Sequence, residues 1–583
     1  MSAHSVERRA WSVERAYRSM LHAHRSAPLL LPLLFLALFY AWPLIAILAR
    51  SLAPGGALDV GPAVTMLERA STWRIVGFTV GQAVLSTIAT VIVGLPGAYL
   101  IGRYDFPGKR WLRALSGVPF VLPTLVVGAG FSALLGDRGV VNQAFMNAFG
   151  LSTPPVQVLG SLGAIVLGHV FYNTTLVIRM VGDTWARLDQ RPLAAARTLG
   201  ASPARAFREV TLPLLAPSLM TAALLVFTFD VASFGVILVL GGPRFATLET
   251  EIYRQAINLF NLPGAAVLTL VQLMLTLSLA IIYNRLAAWA ARGGLNTGSS
   301  GARPRLRPLR GPVAWIVLTV TLIIVVGLMG APLLALVGRS FVGPDGFSLA
   351  SYAELFVNRR ASAFYVAPAQ ALLNSLGVAS ATAVIALAMG LPTAYVISRA
   401  GRSAQALDAA LLLPLGTSAV SLGLGYLLAF DRPPVAWRTE AWLLPIAHAL
   451  IAFPFTVRSL LPAWRAIRPR LRQAAAVLGA SPATVVREID LPLISRAVIV
   501  AAAFSFAISL GEFGATALLT RPGFPTVPVA IYTYLGQPGA LNYGQALAMS
   551  TILMLVCAAA IAVIEGLDET ADGGPQTADL PKP

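Results

Sequence analysis

The segment AARTLGASPARAFREVTLPL, residues 195–214, occurs a second time as AAAVLGASPATVVREIDLPL, residues 474–493. The two copies are identical at 13 of 20 positions. Each copy is a charged, soluble island that lies between long apolar runs, so the chain presents the same element twice. We therefore predict two copies of one membrane-embedded module in a single polypeptide.

Composition places the 583-residue chain in a membrane, because 57% of its residues are hydrophobic and only 12% are charged. A helix needs ~20 apolar residues to cross ~30 Å of hydrocarbon. We predict an all-α polytopic membrane protein with about twelve transmembrane helices in two parallel six-helix repeats. The predicted spans are 29–49, 73–101, 114–136, 158–181, 216–241, 265–290, 312–338, 371–398, 406–430, 441–463, 495–520 and 546–566.

The net charge of +18 is distributed over alternate loops and does not form one basic face. Arginine and lysine follow the second, fourth, sixth, eighth and tenth spans, and the N-terminal tail is also basic. Under the positive-inside rule these loops and both termini are cytoplasmic. The distribution argues against a nucleic-acid partner and favours contact with membrane lipid.

The repeat extends beyond the charged island. Residues 94–103, GLPGAYLIGR, recur at 390–399 as GLPTAYVISR, and from His169 and His448 onward the copies keep a constant offset of 279. An even number of spans in each half makes the repeats parallel. The predicted divisions are a basic tail at 1–26, a first half at 27–292 with its loop at about 190–215, a linker at 293–311, a second half at 312–566 with its loop at about 469–494, and a tail at 567–583.

The island has a spacing that resembles a known motif. Ala-Ala, three residues, Gly, nine residues, then Val/Ile-x-Leu-Pro resembles the cytoplasmic EAA loop of membrane subunits in binding-protein-dependent ATP-binding-cassette (ABC) importers. The leading Glu of that motif is replaced by Ala194 in the first copy and by Gln473 in the second. The assigned coupling residues are Ala195, Ala196, Gly200, Ser202, Pro203, Glu209, Leu212 and Pro213, and then Ala474, Ala475, Gly479, Ser481, Pro482, Glu488, Leu491 and Pro492.

This resemblance implies a fused two-domain permease subunit of the bacterial inner membrane that works by alternating access. In the family the loop forms a coupling helix that docks in a groove of a separate ATPase subunit. Two loops in one chain imply two ATPase copies, and an extracytoplasmic solute-binding protein would deliver the cargo. The other interpretation of the loops is a pair of amphipathic helices that contact only lipid headgroups.

Local signals in each loop predict a helix, a sharp turn and a second helix. Gly200 and Gly479 can take the positive φ that ends a helix. Ser-Pro at 202–203 and at 481–482 supplies an N-cap followed by a first-turn proline. Proline at 213 and 492 is expected to stop the second helix before the next span.

The sequence contains no nucleotide site of its own. Its two lysines, Lys109 and Lys582, are not in the Gly-Lys-Ser/Thr context of a P-loop. We therefore expect no enzyme activity, no catalytic residues, no metal site and no cofactor in this chain, with ATP and Mg²⁺ bound by the partner ATPase. The single cysteine, Cys557, excludes an internal disulfide.

The cargo is less well defined than the class. Residues 168–173, 233–249 and 511–514 look like fused permeases for thiamine, and ferric-iron permeases share much of the pattern. Asp230 and Glu512 fall inside predicted spans, where charges usually face a bundle interior. Together with Phe234 and Phe513 they are candidates for the translocation path, and carboxylates there would favour a cation such as thiamine or ferric iron.

Other interpretations stay open at this stage. Asp230 and Glu512 could instead form local hydrogen bonds at a helix irregularity. His169 and His448, as duplicated positions, favour packing or hydrogen bonding over metal ligation. The alternative functions are a twelve-helix ion-coupled secondary transporter, an ABC exporter permease, and an ABC importer for another small solute such as a polyamine or an anion.

Overall fold

The structure is a computed structural model that describes residues 29–292, 306–343, 346–357, 366–399, 413–431, 436–438, 440–521 and 523–572. The tail at 1–26, most of the predicted linker, Lys582 and the start of the predicted ninth span therefore lie outside the described residues. The first half contains α1 (Leu30–Leu52), α2 (Gly61–Glu68), α3 (Ala70–Arg103), β1 (Tyr104–Asp105), α4 (Lys109–Val121), α5 (Thr124–Leu135), α6 (Val140–Phe149), α7 (Leu162–Arg187), α8 (Arg191–Thr198), α9 (Pro203–Val231), α10 (Leu248–Tyr253) and α11 (Leu262–Arg292).

The second half repeats this order after a short strand. Its elements are β2 (Arg307–Pro308), α12 (Pro312–Ser340), β3 (Val342–Gly343), β4 (Gly346–Phe347), α13 (Ala350–Ala353), α14 (Pro368–Arg399), α15 (Ala419–Ala429), α16 (Leu443–Ala466), α17 (Pro469–Val477), α18 (Pro482–Gly511), α19 (Gly514–Leu519), α20 (Val527–Leu535) and α21 (Ala540–Asp572). β1 pairs with β2 in parallel, and β3 pairs with β4 in an antiparallel hairpin.

The all-α membrane architecture is confirmed, with eleven segments among the described residues long and apolar enough to cross a membrane, one of which, Thr124–Phe149, comprises α5 and α6. They correspond to eleven of the twelve predicted spans. The exception is 406–430, of which the described part forms a 3₁₀ turn at Leu413–Gly416 and the short helix α15.

Three spans predicted as continuous helices are interrupted. The prediction for 114–136 is wrong because the chain is extended at Leu122, where ψ is 140°, before Pro123. Proline disfavours helical geometry at the residue that precedes it. The predictions for 216–241 and 495–520 are wrong because α9 ends at Val231 and α18 ends at Gly511, each followed by a short non-helical turn.

The first helix of each half packs on the opposite half. Gly425 of α15 lies against Pro43 of α1, and Gly130 of α5 lies against the backbone carbonyl of Pro332 in α12. A Cβ at either glycine would come within about 3 Å of these atoms, so both contacts need glycine. The two halves are therefore interlocked, and the largest buried apolar cluster includes residues of both.

Candidate functional site

The first charged loop forms the predicted helix, turn and helix. Helix α8 ends before Gly200, whose φ is +86°. Ser202 then caps α9, accepting a hydrogen bond from the backbone N–H of Arg205 at 3.3 Å. A Cβ on Gly200 would meet nothing within 4 Å, so its φ alone demands glycine here.

The second loop reproduces this geometry. Gly479 follows α17 with a φ of +84°, and Ser481 Oγ accepts from the backbone N–H of Thr484 at 3.2 Å at the start of α18. The positive φ and the serine caps predicted from the sequence are thus confirmed in both copies.

Both loops present an apolar side chain to solvent at the same position. Leu199 is 88% exposed and its counterpart Leu478 is 87% exposed. Neither α8 nor α17 contains a buried residue. Because the exposed leucine is repeated at equivalent positions of two loops with the same geometry, it is a candidate contact for a partner.

The prolines after the loops do not end their helices, so that prediction is wrong. A π-helical turn covers Phe207–Thr211, and the N–H of Leu212 bonds to the carbonyl of Phe207. The wider turn places Pro213 in the first turn of the next α-helical segment, where its missing N–H is tolerated. The same arrangement precedes Pro492, so α9 and α18 run unbroken from the loops into the membrane.

The two loops are anchored differently at their bases. In the first half, the rings of Trp185 and Phe207 stack with centroids 6.0 Å apart. In the second half, Arg472 Nε donates to the fully buried Asp490 at 2.7 Å. Thr211 stands at the equivalent first-half position, so the ion pair exists in the second copy only.

The interrupted helices meet at the seam between the halves. Phe234 and Phe513 lie in the two breaks, and their rings stack with centroids 5.3 Å apart and planes 22° apart. Tyr253 packs on Phe234 at 5.4 Å, and Tyr532 packs on Phe513 at 5.5 Å. These four residues are equivalent in pairs and form one row, which we call the aromatic row.

The breaks are held against their own halves by close packing. A Cβ on Gly235 would collide with Thr124 at the start of α5. A Cβ on Gly514 would lie 3.1 Å from the Cβ of Ala419 at the start of α15. The glycine beside each phenylalanine therefore lets the break approach a helix N-terminus and fixes the phenylalanine at the seam.

Asp230 is fully buried and is hydrogen-bonded within the first half. Its Oδ1 accepts from Asn173 Nδ2 at 2.8 Å, and its Oδ2 accepts from Thr87 at 3.4 Å. His169 Nδ1 lies 3.6 Å from the same carboxylate and 3.0 Å from Ser86 Oγ.

Glu512 occupies the second-half break and caps α19. Its carboxylate accepts from the backbone N–H groups of Ala515 at 2.9 Å and Thr516 at 3.1 Å. His448 Nε2 lies 3.1 Å from the same carboxylate, and its Nδ1 lies 2.8 Å from Ser509 Oγ. Both histidines are thus in hydrogen-bonded polar clusters, as their duplication indicated. Both acids are hydrogen-bonded by nearby groups, which is what the interpretation of local hydrogen bonding at a helix irregularity predicts.

Comparison with known proteins agrees with this architecture. The family of binding-protein-dependent transport system inner membrane components matches residues 94–292. The chain is 31% identical over 268 residues to the putative 2-aminoethylphosphonate transport system permease protein PhnU of Salmonella paratyphi A, an alignment that covers 45% of this chain and 90% of that protein.

Two further relatives align over most of the chain. The thiamine transport system permease protein ThiP of Brucella suis is 28% identical, with 85% of this chain and 87% of that protein covered. The probable ABC transporter permease protein y4fN of Sinorhizobium fredii is 27% identical, with 91% and 94% covered.

The fold and its loops define a multi-pass membrane subunit of a transport system. The chain belongs to the family of binding-protein-dependent transport system inner membrane components, and it is a fused ABC importer permease. As a transport subunit it belongs to systems that also contain an ATPase and a solute-binding protein.

Proposed function

We propose that this chain forms the membrane path of an ATP-driven importer for a small cationic solute, with thiamine as the candidate. The observation that carries the importer mechanism is the pair of equivalent loops, each with an exposed leucine beyond a glycine turn. Relatives named as thiamine permeases, aligned over 85% of the chain, support the choice of cargo.

Each loop docks on one ATPase subunit, so one chain engages two copies. A lipid-headgroup role would require only an amphipathic helix, whereas the two loops share a turn, a cap and an exposed apolar side chain. Docking on the ATPase requires the loops to be in the cytoplasm, and both termini are then cytoplasmic as well. The ATP and Mg²⁺ belong to the ATPase subunits.

The loops are connected to the aromatic row by single helices. Helix α9 runs from Pro203 to Val231 and α18 runs from Pro482 to Gly511. At 1.5 Å per residue each helix is about 45 Å long. Closure of the ATPase dimer would move the loops, tilt α9 and α18, and separate Phe234 from Phe513, which opens the path for alternating access.

The aromatic row also suits a cation with flat rings. Aromatic faces attract a cation within ~6 Å by about 0.5–2 kcal/mol, and they stack on ring systems. The decisive experiment is uptake of radiolabelled thiamine by proteoliposomes that contain the chain, its ATPase and its binding protein. Uptake that requires ATP and both partners is expected, and uptake driven by an ion gradient without the ATPase would instead support a secondary transporter.

A second candidate cargo is 2-aminoethylphosphonate, which the 31% identical relative favours by its name. The same vesicles should be tested with this compound and with ferric iron. Preferential uptake of the phosphonate would replace the cationic proposal. A path role for Asp230 and Glu512 stays a prediction, because both carboxylates already have partners within their own halves.

A further inference from the structure

One buried carboxylate links the two halves directly beside the aromatic row. Glu249 of α10 is fully buried, and its Oε1 accepts from Gln272 Nε2 of α11 at 2.8 Å within the first half. Its Oε2 accepts from Ser418 Oγ, the N-cap of α15 in the second half, at 3.0 Å. Any movement that separates the halves here must break the bond to Ser418.

Both ends of this cross-half bond adjoin the aromatic row. Glu249 and Tyr253 are four residues apart on α10, so they lie on the same helix face. Tyr253 packs on Phe234. Ser418 precedes Ala419, which packs against the turn that carries Phe513.

The symmetry-related position lacks this pair. The residue equivalent to Glu249 at the offset of 279 is Pro528, and the N-cap of α5, equivalent to that of α15, is Pro123. Neither proline side chain can donate or accept a hydrogen bond. The second half therefore packs at the equivalent position without a carboxylate.

The site has unused acceptor capacity. A carboxylate accepts up to about four hydrogen bonds, and Glu249 accepts two among the described residues. The neighbouring Gln272 is also fully buried, and its Oε1 has no partner among those residues. Unpaired buried oxygens of this kind are costly and fit a ligand that brings positive charge or N–H donors.

We propose that Glu249 recognises the positive charge of the transported solute once the halves part. Loss of the Ser418 bond leaves a carboxylate oxygen facing the opened seam, one helical turn from Tyr253 and beside the aromatic faces of Phe234 and Phe513. The ligand class is a small organic cation with a flat ring. This inference rests on the proposed import function and names the residue that selects for charge.

The first test measures when Glu249 becomes accessible. The complete transporter in nanodiscs is treated with dicyclohexylcarbodiimide, either at rest or trapped with ATP and vanadate, and the adduct is located by peptide mass spectrometry. Glu249 should be labelled at least about tenfold faster in the trapped state, and millimolar thiamine should suppress that labelling. Equal labelling in both states would overturn the inference.

The cation probes separate the two proposals. Protection by tetramethylammonium without protection by thiamine would support a cation site at Glu249 while refuting thiamine as the cargo. Protection by neither cation would overturn the role of Glu249, even where uptake assays establish thiamine transport. Protection by 2-aminoethylphosphonate alone would also overturn it.

The second test uses Glu249→Gln, which the site can accommodate. The amide oxygen can still accept from Ser418, and rotation of the Gln272 amide would let its unpartnered oxygen accept from the new NH₂ group. Thiamine uptake should fall at least about tenfold. The control is Glu251→Gln, a buried acid on the same helix that pairs with Arg254 at 2.7 Å within the first half, and it should retain uptake.

Ser418→Ala distinguishes two roles of Glu249: recognition of the solute's charge and a purely structural bond between the halves. This variant loses the cross-half bond and keeps the carboxylate, so labelling at rest should rise while protection by thiamine is retained. It also serves as the test variant should Glu249→Gln fail to assemble. A loss of uptake in Ser418→Ala equal to that in Glu249→Gln would show that Glu249 only latches the halves and would overturn the inference.

Discussion

The exposed leucines of the two loops allow a quantitative test of ATPase docking. Leu199 and Leu478 are 88% and 87% exposed, so almost the whole of each side chain is available for burial by a partner. Truncation to alanine removes three carbon atoms, which at ~0.8 kcal/mol per methylene is about 2 kcal/mol of lost burial for each loop. That corresponds to about a thirtyfold rise in Kd for each variant.

The two losses should add, because each loop would contact its own ATPase subunit and the leucines share no partner. The assay is a fluorescence anisotropy titration of labelled ATPase dimer against the chain in nanodiscs. We expect Leu199→Ala and Leu478→Ala to weaken binding singly, and the double variant to weaken it by about 4 kcal/mol in total.

The matched control is Leu58→Ala. Leu58 is 81% exposed and lies between α1 and α2, away from both loops. The Leu58→Ala variant should bind the ATPase with the wild-type Kd. An unchanged Kd in the double loop variant would refute the docking surface, and an equal loss in the Leu58 variant would mean that the assay reports general surface hydrophobicity.

Three other predictions address the loops and the break in the second half. Gly200→Val and Gly479→Val should preserve membrane insertion but abolish binding-protein stimulation of ATP hydrolysis, since a β-branched residue at positive φ costs about 1–3 kcal/mol; stimulation at the wild-type level would contradict this. Cysteines placed at Ser202 and Ser481 should react with an impermeant thiol reagent in inverted vesicles only, and labelling in intact cells would reverse the orientation. Glu512→Gln should weaken the cap of α19 by about 1–2 kcal/mol and so lower the melting temperature of the protein. A transport defect without any change in melting temperature would instead favour a path role for Glu512.

The loops were predictable because their signals are local. A glycine at a helix end and a Ser-Pro pair that begins two positions later determine their geometry within a few residues. The second copy doubled the signal, since two unrelated loops would not share both features. The π turns were not predictable in this way. They shift the backbone hydrogen bonds so that the helix continues through Pro213 and Pro492, and no local residue pattern indicates such a shift.

The helix breaks escaped prediction because hydropathy does not register them. The apolar run continues across Val231 and Gly511. It is therefore long enough to cross the membrane whether or not the helix is continuous. The glycines at 235 and 514 were visible in the sequence as a repeated Phe-Gly pair. Their packing against helix N-termini depends on tertiary structure.

Long-range polar pairs were hidden for a different reason. His448, which lies 3.1 Å from the Glu512 carboxylate, belongs to another helix, α16. Glu249 and Ser418 belong to different halves, so only the assembled seam brings them together. The packing of each first helix on the opposite half has the same origin.

Some features occur in both halves, whereas others occur in one half only, and the two groups fit different roles in the proposed transport. The turns occur in both copies, and each copy supplies one phenylalanine of the stacked pair, which fits the proposal that two ATPase subunits move the halves together. Two buried acids are not shared in this way, because Glu249 aligns with Pro528 and Asp490 aligns with Thr211. Because a small solute has no two-fold symmetry, the proposed recognition of its charge needs a carboxylate in one half only. The bond from Ser418 to Glu249 beside the symmetric aromatic row is therefore consistent with the proposed path for an asymmetric cation.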